Sequence, residues 1–155
     1  MISYSMRVLA LSLAIVTFGC KKESKENEMT VAHARWKSHS LTSYTIQQEI
    51  QGVMNAKTRG SVILTVEDNK ITDVRRADDG VSIPQEQWVS FSTIDELFVL
   101  VDNLKKYDGL PNGIRLEVSY DAEYGYPKKI IEDWTVNKSA MDDVYVTVAS
   151  EDLKF

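Results

Sequence analysis

The stretch "STIDELFVLVDNLKKYDG", residues 92–109, has the features of an amphipathic helix with a marked start and end. Thr93 and Glu96 have the spacing of a capping box, in which each side chain accepts the other residue's backbone N–H. An apolar stripe recurs every three or four residues and consists of Ile94, Leu97, Phe98, Val101 and Leu104. Gly109 can take the left-handed conformation that ends a helix. The pattern predicts a helix with one buried face in the middle of the chain.

Strand patterns lie on both sides of this helix. Before it, residues 43–50 alternate apolar and polar side chains, and residues 61–76 form two such runs around a turn at Asp68-Asn69-Lys70. A shorter helix over residues 30–41 precedes them. After the central helix, apolar alternation recurs at residues 114–120, 130–136 and 144–148. This order predicts an α+β fold: an antiparallel β-sheet of about six strands in helix-βββ-helix-βββ order, with two helices packed on one face.

Composition and charge limit the classes of function. The chain has 155 residues, of which 43% are hydrophobic and 26% are charged, an ordinary globular composition that suits one domain. It carries 18 Lys and Arg against 23 Asp and Glu, a net charge of -5. Nucleic-acid affinity rests on clustered basic side chains, so we expect no DNA or RNA partner.

The first residues have the pattern of an export signal. Arg7 precedes an apolar run over residues 8–18, which is too short to span a bilayer, and Gly19-Cys20 follows. A cysteine at this boundary resembles the lipobox of bacterial lipoproteins, whose thiol and new amine are acylated. The alternative is an ordinary secretory signal with an incidental cysteine. Cys20 is the chain's single cysteine, so no internal disulfide can form.

These patterns divide the chain into three parts. We predict a lipoprotein signal peptide at residues 1–19, a lipidated Cys20 with a flexible charged tether at residues 20–28, and a single α+β domain at residues 29–155. The domain would be exported, periplasmic or extracellular, and held to a membrane of the bacterial cell envelope through the acylated cysteine.

A second distinctive stretch, "YDAEYGYPKKI", residues 120–130, joins two predicted strands. Gly125 and Pro127 suit a tight turn, whereas the tyrosines are not needed by a turn. Both a structural turn and a loop that contacts a partner or ligand therefore stay open. The residues of such a contact would be Tyr120, Asp121, Tyr124, Gly125, Tyr126 and Pro127.

Five stretches together resemble the bacterial domain-of-unknown-function family numbered 6174. They cover residues 34–48, 60–71, 92–104, 118–130 and 141–155, and the most specific piece is the tyrosine-rich turn followed by Asp142-Asp143. Members of that family are mostly secreted or lipid-anchored, and many carry cysteines near the first strand, where this chain has Gln47, Gln48 and Glu49. The resemblance implies placement and architecture, and no activity.

Catalytic and metal signatures are weak. His33 and His39 are six residues apart and lack the spacing of a metal motif, and the domain has no cysteine nucleophile and no glycine-rich phosphate loop. A hydrolase would need carboxylates to converge, from Asp121, Glu123, Asp133, Asp142 and Asp143. Calcium is the alternative cofactor, with oxygen ligands available from Asp78, Asp79, Asp121, Glu123, Asp142 and Asp143.

The leading hypothesis is a non-catalytic, membrane-anchored binding or accessory module of the cell envelope, with an envelope protein as its partner. A calcium-binding envelope domain is the alternative, and a carboxylate-based hydrolase is the third reading.

Overall fold

A computed structural model of the chain describes residues 21–51, 60–111, 113–133 and 145–155. The order of elements is α1 (Lys21–Ser38), β1 (Tyr44–Gln51), β2 (Ser61–Glu67), β3 (Lys70–Arg76), a 3₁₀ helix (Gln85–Ser90), α2 (Ile94–Lys105), β4 (Arg115–Tyr120), β5 (Pro127–Asp133) and β6 (Tyr145–Lys154). The α+β class and the helix-βββ-helix-βββ order are confirmed, with the short 3₁₀ helix as an addition.

The six strands form one antiparallel sheet in the order β3-β2-β1-β6-β5-β4. Each half of the chain supplies a three-stranded meander, and the meanders join where β1 pairs with β6. Alternate side chains are buried along β2 and along β1 as far as Gln48, as the sequence pattern predicted, while Ile50 is partly buried. The outer strands, β3 and β4, therefore come from opposite halves of the chain and lie at opposite edges of the sheet.

Helix α2 matches its sequence pattern closely. The backbone N–H of Glu96 donates to Thr93 Oγ1 (3.3 Å), and the N–H of Thr93 donates to Glu96 Oε2 (2.7 Å), which completes the capping box. The residues that α2 buries are those of the predicted stripe, Ile94, Leu97, Phe98, Val101 and Leu104. The start of the helix is also tied to β1, because the N–H of Ile94 donates to the buried Tyr44 hydroxyl (2.8 Å).

Helix α1 starts earlier than its sequence pattern suggested. It begins at Lys21 rather than near Thr30, so the segment predicted as a flexible tether is helical from Lys21 onward. Charged residues dominate its first turns and no apolar stripe marks them, so only the part that reaches the core was recognisable. In that part, Trp36 is buried and its indole N–H donates to Asp95 Oδ1 (3.1 Å), which links α1 to the start of α2.

The core lies between the sheet and the two helices. One cluster of buried residues joins α1 and the start of α2 to β1, β2 and β3, and a second joins the rest of α2 to β4 and β5. Met29 of α1 packs against both clusters. In the described part of the chain, no helix is long and apolar enough to cross a membrane.

Candidate functional site

The tyrosine-rich stretch forms the turn between β4 and β5, and Asp121 organises it. Asp121 Oδ1 accepts the backbone N–H groups of Glu123 (2.9 Å) and Tyr124 (2.8 Å). The turn closes when the N–H of Gly125 donates to the carbonyl of Asp121 (3.1 Å) and the N–H of Asp121 donates to the carbonyl of Tyr126 (2.8 Å). This is the local chemistry that the structural reading of the sequence predicted.

Gly125 holds the turn against α1. Its φ is +82°, and a Cβ placed there would lie 2.3 Å from the carbonyl oxygen of Ala32. The conformation and the close approach each require glycine. Arg35, one turn further along α1, donates from Nη1 to the carbonyl of Ala122 (2.8 Å). The turn is therefore part of the packing between the sheet and the first helix.

Two of the predicted contact residues lie in the core instead of on a surface. Tyr126 is 5% exposed and packs in the first core cluster, and Pro127 is almost fully buried at the start of β5. Burial raises the pKa of Tyr126 to about 12, with Asp121, Asp152 and Glu151 adding to the effect. Gly125 is also buried. The sequence could not separate these residues from exposed ones, because a tyrosine suits either setting.

Tyr124 instead belongs to a cluster of three rings that we call the aromatic patch: His39, Tyr124 and Phe155. The His39 and Tyr124 ring centroids are 4.8 Å apart, and those of Tyr124 and Phe155 are 5.6 Å apart with the rings nearly edge to face. His39 is exposed, Tyr124 is partly exposed and Phe155 is 73% exposed. Exposed aromatic rings held in fixed contact are typical of binding surfaces.

A cleft of about 420 Å³ runs between α1 and the beginning of the turn. Its lining comprises Asn27, Glu28, Val31, Ala32, Arg35, Tyr120, Asp121 and Ala122. Tyr120 belongs to this lining and stacks on Phe98, with ring centroids 6.1 Å apart. Burial raises the pKa of the Tyr120 hydroxyl, and the charge of Glu28 across the cleft raises it further. The volume is near the lower end of the range for ligand sites.

The carboxylates proposed for calcium or catalysis are divided between distant places. Asp79 pairs with Arg76 and accepts the N–H of Val81 beyond β3, while Asp121 organises the turn after β4. Since β3 and β4 are opposite edges of a six-stranded sheet and run in opposite directions, these two places are more than roughly 24 Å apart. They do not form one calcium site.

The carboxylates of the hydrolase hypothesis are also separated. Asp133 lies at the opposite end of β5 from the turn, about 20 Å from Asp121, and its side chain pairs with Arg115 (2.6 Å). Asp121 and Asp133 therefore do not meet in one site, as a hydrolase built on both would need. Among the described residues, no group of three or more His, Cys, Asp or Glu side chains is placed to hold a metal ion. Cys20, Asp142 and Asp143 lie outside the described residues.

The sequence did not reveal which residues surround the turn. Arg35 reaches Ala122 across 87 positions of sequence, and His39 reaches the carbonyl of Glu123 (3.4 Å) across 84. Glu28, Val31 and Arg35 recur at helical spacing, which places them on one face of α1. No signal in the sequence paired that face with the turn.

A family model matches most of the chain. The model described as "Family of unknown function (DUF6174)" covers residues 28–152, which include most of α1, the tyrosine-rich turn and every residue that lines the cleft except Asn27. No curated protein and no solved structure matches the chain.

Proposed function

The chain belongs to the DUF6174 family of unknown function, and from that premise we propose that it is a membrane-anchored bacterial lipoprotein that serves the cell envelope as a non-catalytic binding or accessory module. One observation carries the proposal: the apolar run over residues 8–18 ends in Gly19-Cys20, where a lipobox cysteine would be acylated. Two or more acyl chains give the stable anchoring that such a module needs.

The position of the aromatic patch supports a protein partner rather than the bilayer. Cys20 directly precedes the first residue of α1, and His39 directly follows the last. A helix of 18 residues is about 27 Å long. A lipid on Cys20 therefore leaves the aromatic patch at the far end of α1 from the anchor. Such a patch is suited to a partner that approaches from the side away from the membrane.

The anchor is tested by replacing Cys20 with Ser and following the protein through membrane fractionation and intact-mass measurement. The wild-type chain should sediment with membranes and carry the mass of its acyl groups, and Cys20→Ser should do neither. Ser24→Ala, which keeps the cysteine, is the matched control. A Cys20→Ser variant that still sediments with membranes would show that acylation is not what holds the protein there.

The partner surface is tested with the paired variant Tyr124→Ala and Phe155→Ala in cells treated with a crosslinker. An envelope protein that crosslinks reproducibly to the wild type should be lost from the variant, because buried aromatic anchors dominate most protein interfaces. Val99→Ala, which trims an exposed apolar side chain of α2, is the control. Identical crosslinks from wild type and variant would remove the aromatic patch as the contact surface.

A further inference from the structure

The two outer edges of the sheet are covered to different extents. At β3, the N–H of Arg76 donates to the carbonyl of Val81 (2.9 Å), and the N–H of Ile83 donates to the carbonyl of Val74 (2.8 Å). Residues 81–83 thus cover this edge. At β4 the preceding loop reaches the start of the strand, where Asp108 Oδ1 accepts the N–H of Leu116 (3.0 Å). The second half of β4 lies beyond that bond.

The backbone groups of Val118 and Tyr120 point away from the sheet. The N–H of Leu116 is directed outward to Asp108, and the N–H of Asp121 is directed inward to Tyr126. Backbone groups in a strand alternate in direction from one residue to the next. Val118 and Tyr120 therefore share the outward direction of Leu116. Among the described residues, no strand pairs with that outer side of β4.

The cleft lies directly beside this part of the edge. Tyr120 and Ala122 form one wall, and Val31, which is 51% exposed, lies on the opposite wall with Arg35. Glu28 influences Tyr120 at one end, whereas Arg35 is bonded to Ala122 at the other. Only one of the Arg35 N–H groups is needed for that bond, and a guanidinium carries five. The cleft therefore has an acidic end at Glu28, and its other end brings Arg35 next to Asp121, whose Oδ1 accepts two backbone N–H groups of the turn.

We propose that the outer edge of β4 and the adjoining cleft bind an extended peptide, which adds to the sheet as a seventh strand beside Val118 and Tyr120. A carboxylate of the peptide, either its terminus or an acidic side chain, meets Arg35, and a basic or hydrogen-bond-donating group meets Glu28. The proposal rests on the role as a binding module and names the class of partner and the way it is held.

The shape and charge of the β4 edge and the cleft indicate which kind of ligand binds there. An unpaired strand edge offers a row of backbone donors and acceptors, which an extended backbone satisfies and a compact ligand does not. The opposite charges of Glu28 and Arg35 give the added strand a direction.

The probe is a library of random octapeptides, synthesised both as free acids and as C-terminal amides, screened against the immobilised full-length chain. Peptides that bind should then be tested with each backbone nitrogen methylated in turn. Methylation should weaken binding by about tenfold at alternate residues, because one lost hydrogen bond with its partner left unsatisfied has roughly that effect. If the methylations that weaken peptide binding do not fall at every second residue, strand addition is overturned.

Val118→Pro tests the same point from the protein. Its missing N–H lies on the outer side, so the pairing of β4 with β5 keeps its bonds, and the affinity for selected peptides should fall about tenfold. Ser119→Ala, on the same strand, should bind as the wild type does. Arg35→Gln should reduce the preference for peptides with a carboxylate at the matching position. If Val118→Pro fails to fold, the methylation result decides.

Two further outcomes overturn the proposal: no octapeptide binds the wild type at millimolar concentration, or Val118→Pro and the wild type bind selected peptides equally. Neither outcome bears on the proposed lipid anchor, because membrane fractionation of the Cys20→Ser variant tests the anchor and does not depend on peptide binding. The variant with Tyr124→Ala and Phe155→Ala should keep its affinity for the peptides, which separates the edge of β4 from the aromatic patch.

Discussion

Two turns of the sheet are built from similar residues but have different roles. The turn between β2 and β3 uses Asp68 and Asn69 with φ values of 49° and 60°, and both side chains are exposed. The turn between β4 and β5 uses Asp121 and Gly125, and it packs against the backbone of α1.

The comparison shows that a turn's contribution to the tertiary structure depends on whether its residues contact other parts of the domain or solvent. Both turns contain residues with positive φ. The Gly, Asn and Asp residues of each turn make it predictable from the sequence. In the β4–β5 turn the adjoining residues, Tyr126 and Pro127, enter the core, whereas Lys70 beside the β2–β3 turn is exposed. Changes in the β4–β5 turn should therefore affect the whole domain, and changes in the β2–β3 turn should stay local.

Gly125→Ala should have the largest effect, lowering the free energy of unfolding by about 3 kcal/mol. The strain of positive φ contributes about 1 kcal/mol, and the displacement of α1 by the new Cβ contributes the rest. Urea unfolding followed by circular dichroism measures it. The matched control is Gly80→Ala, where φ is +70° and nothing lies within 4 Å of the new Cβ. Equal losses in the two variants would mean that α1 does not press on Gly125 in solution.

Asp121→Ala should come next, with a loss of about 2 kcal/mol. The substitution leaves the N–H groups of Glu123 and Tyr124 without their acceptor in the turn. Asp121→Asn keeps an oxygen that can accept both bonds, so its unfolding free energy should lie close to that of the wild type. The same urea titration compares the three proteins. If the Asn variant is as unstable as the Ala variant, the negative charge matters more than the acceptor.

Alkaline pH should distinguish the two turns, because Tyr126 beside the β4–β5 turn is buried in its neutral form. Its pKa rises from 10.0 to about 12 on folding, so the stability that it contributes is complete below pH 10 and is lost as the pH rises through about 12. The loss is about 1.4 kcal/mol per pH unit in that window. Tyr126→Phe should make the decline between pH 10 and pH 12 shallower. Tyr44, whose pKa is also raised to about 12, should keep part of the decline.

The sequence predicts what depends on local chemistry, and α2 is the clearest case. Its cap and its buried stripe were both readable, because each is set by residues within one or two turns, whereas the helix ends at Lys105, before the Gly109 that the sequence suggested as its stop. The turn at Asp121 was readable for the same reason. The burial of Tyr126 and the cleft beside Arg35 were not, because both depend on α1 crossing to a turn about 90 residues later. The early start of α1 was hidden by a charged segment that also suits a solvated tether.

The smallest effect is expected in the β2–β3 turn, for Asn69→Gly. Glycine adopts a φ of 60° without strain but loses more conformational entropy on folding, so the two contributions nearly cancel and the unfolding free energy should change by about 0.5 kcal/mol or less. The bond from the N–H of residue 69 to the carbonyl of Thr42 is a backbone bond and survives the change. Thermal unfolding alongside Gly125→Ala measures the contrast. A loss as large as that of Gly125→Ala would mean that both turns help to hold the domain together, and the distinction between them would then lie only in the contact with α1.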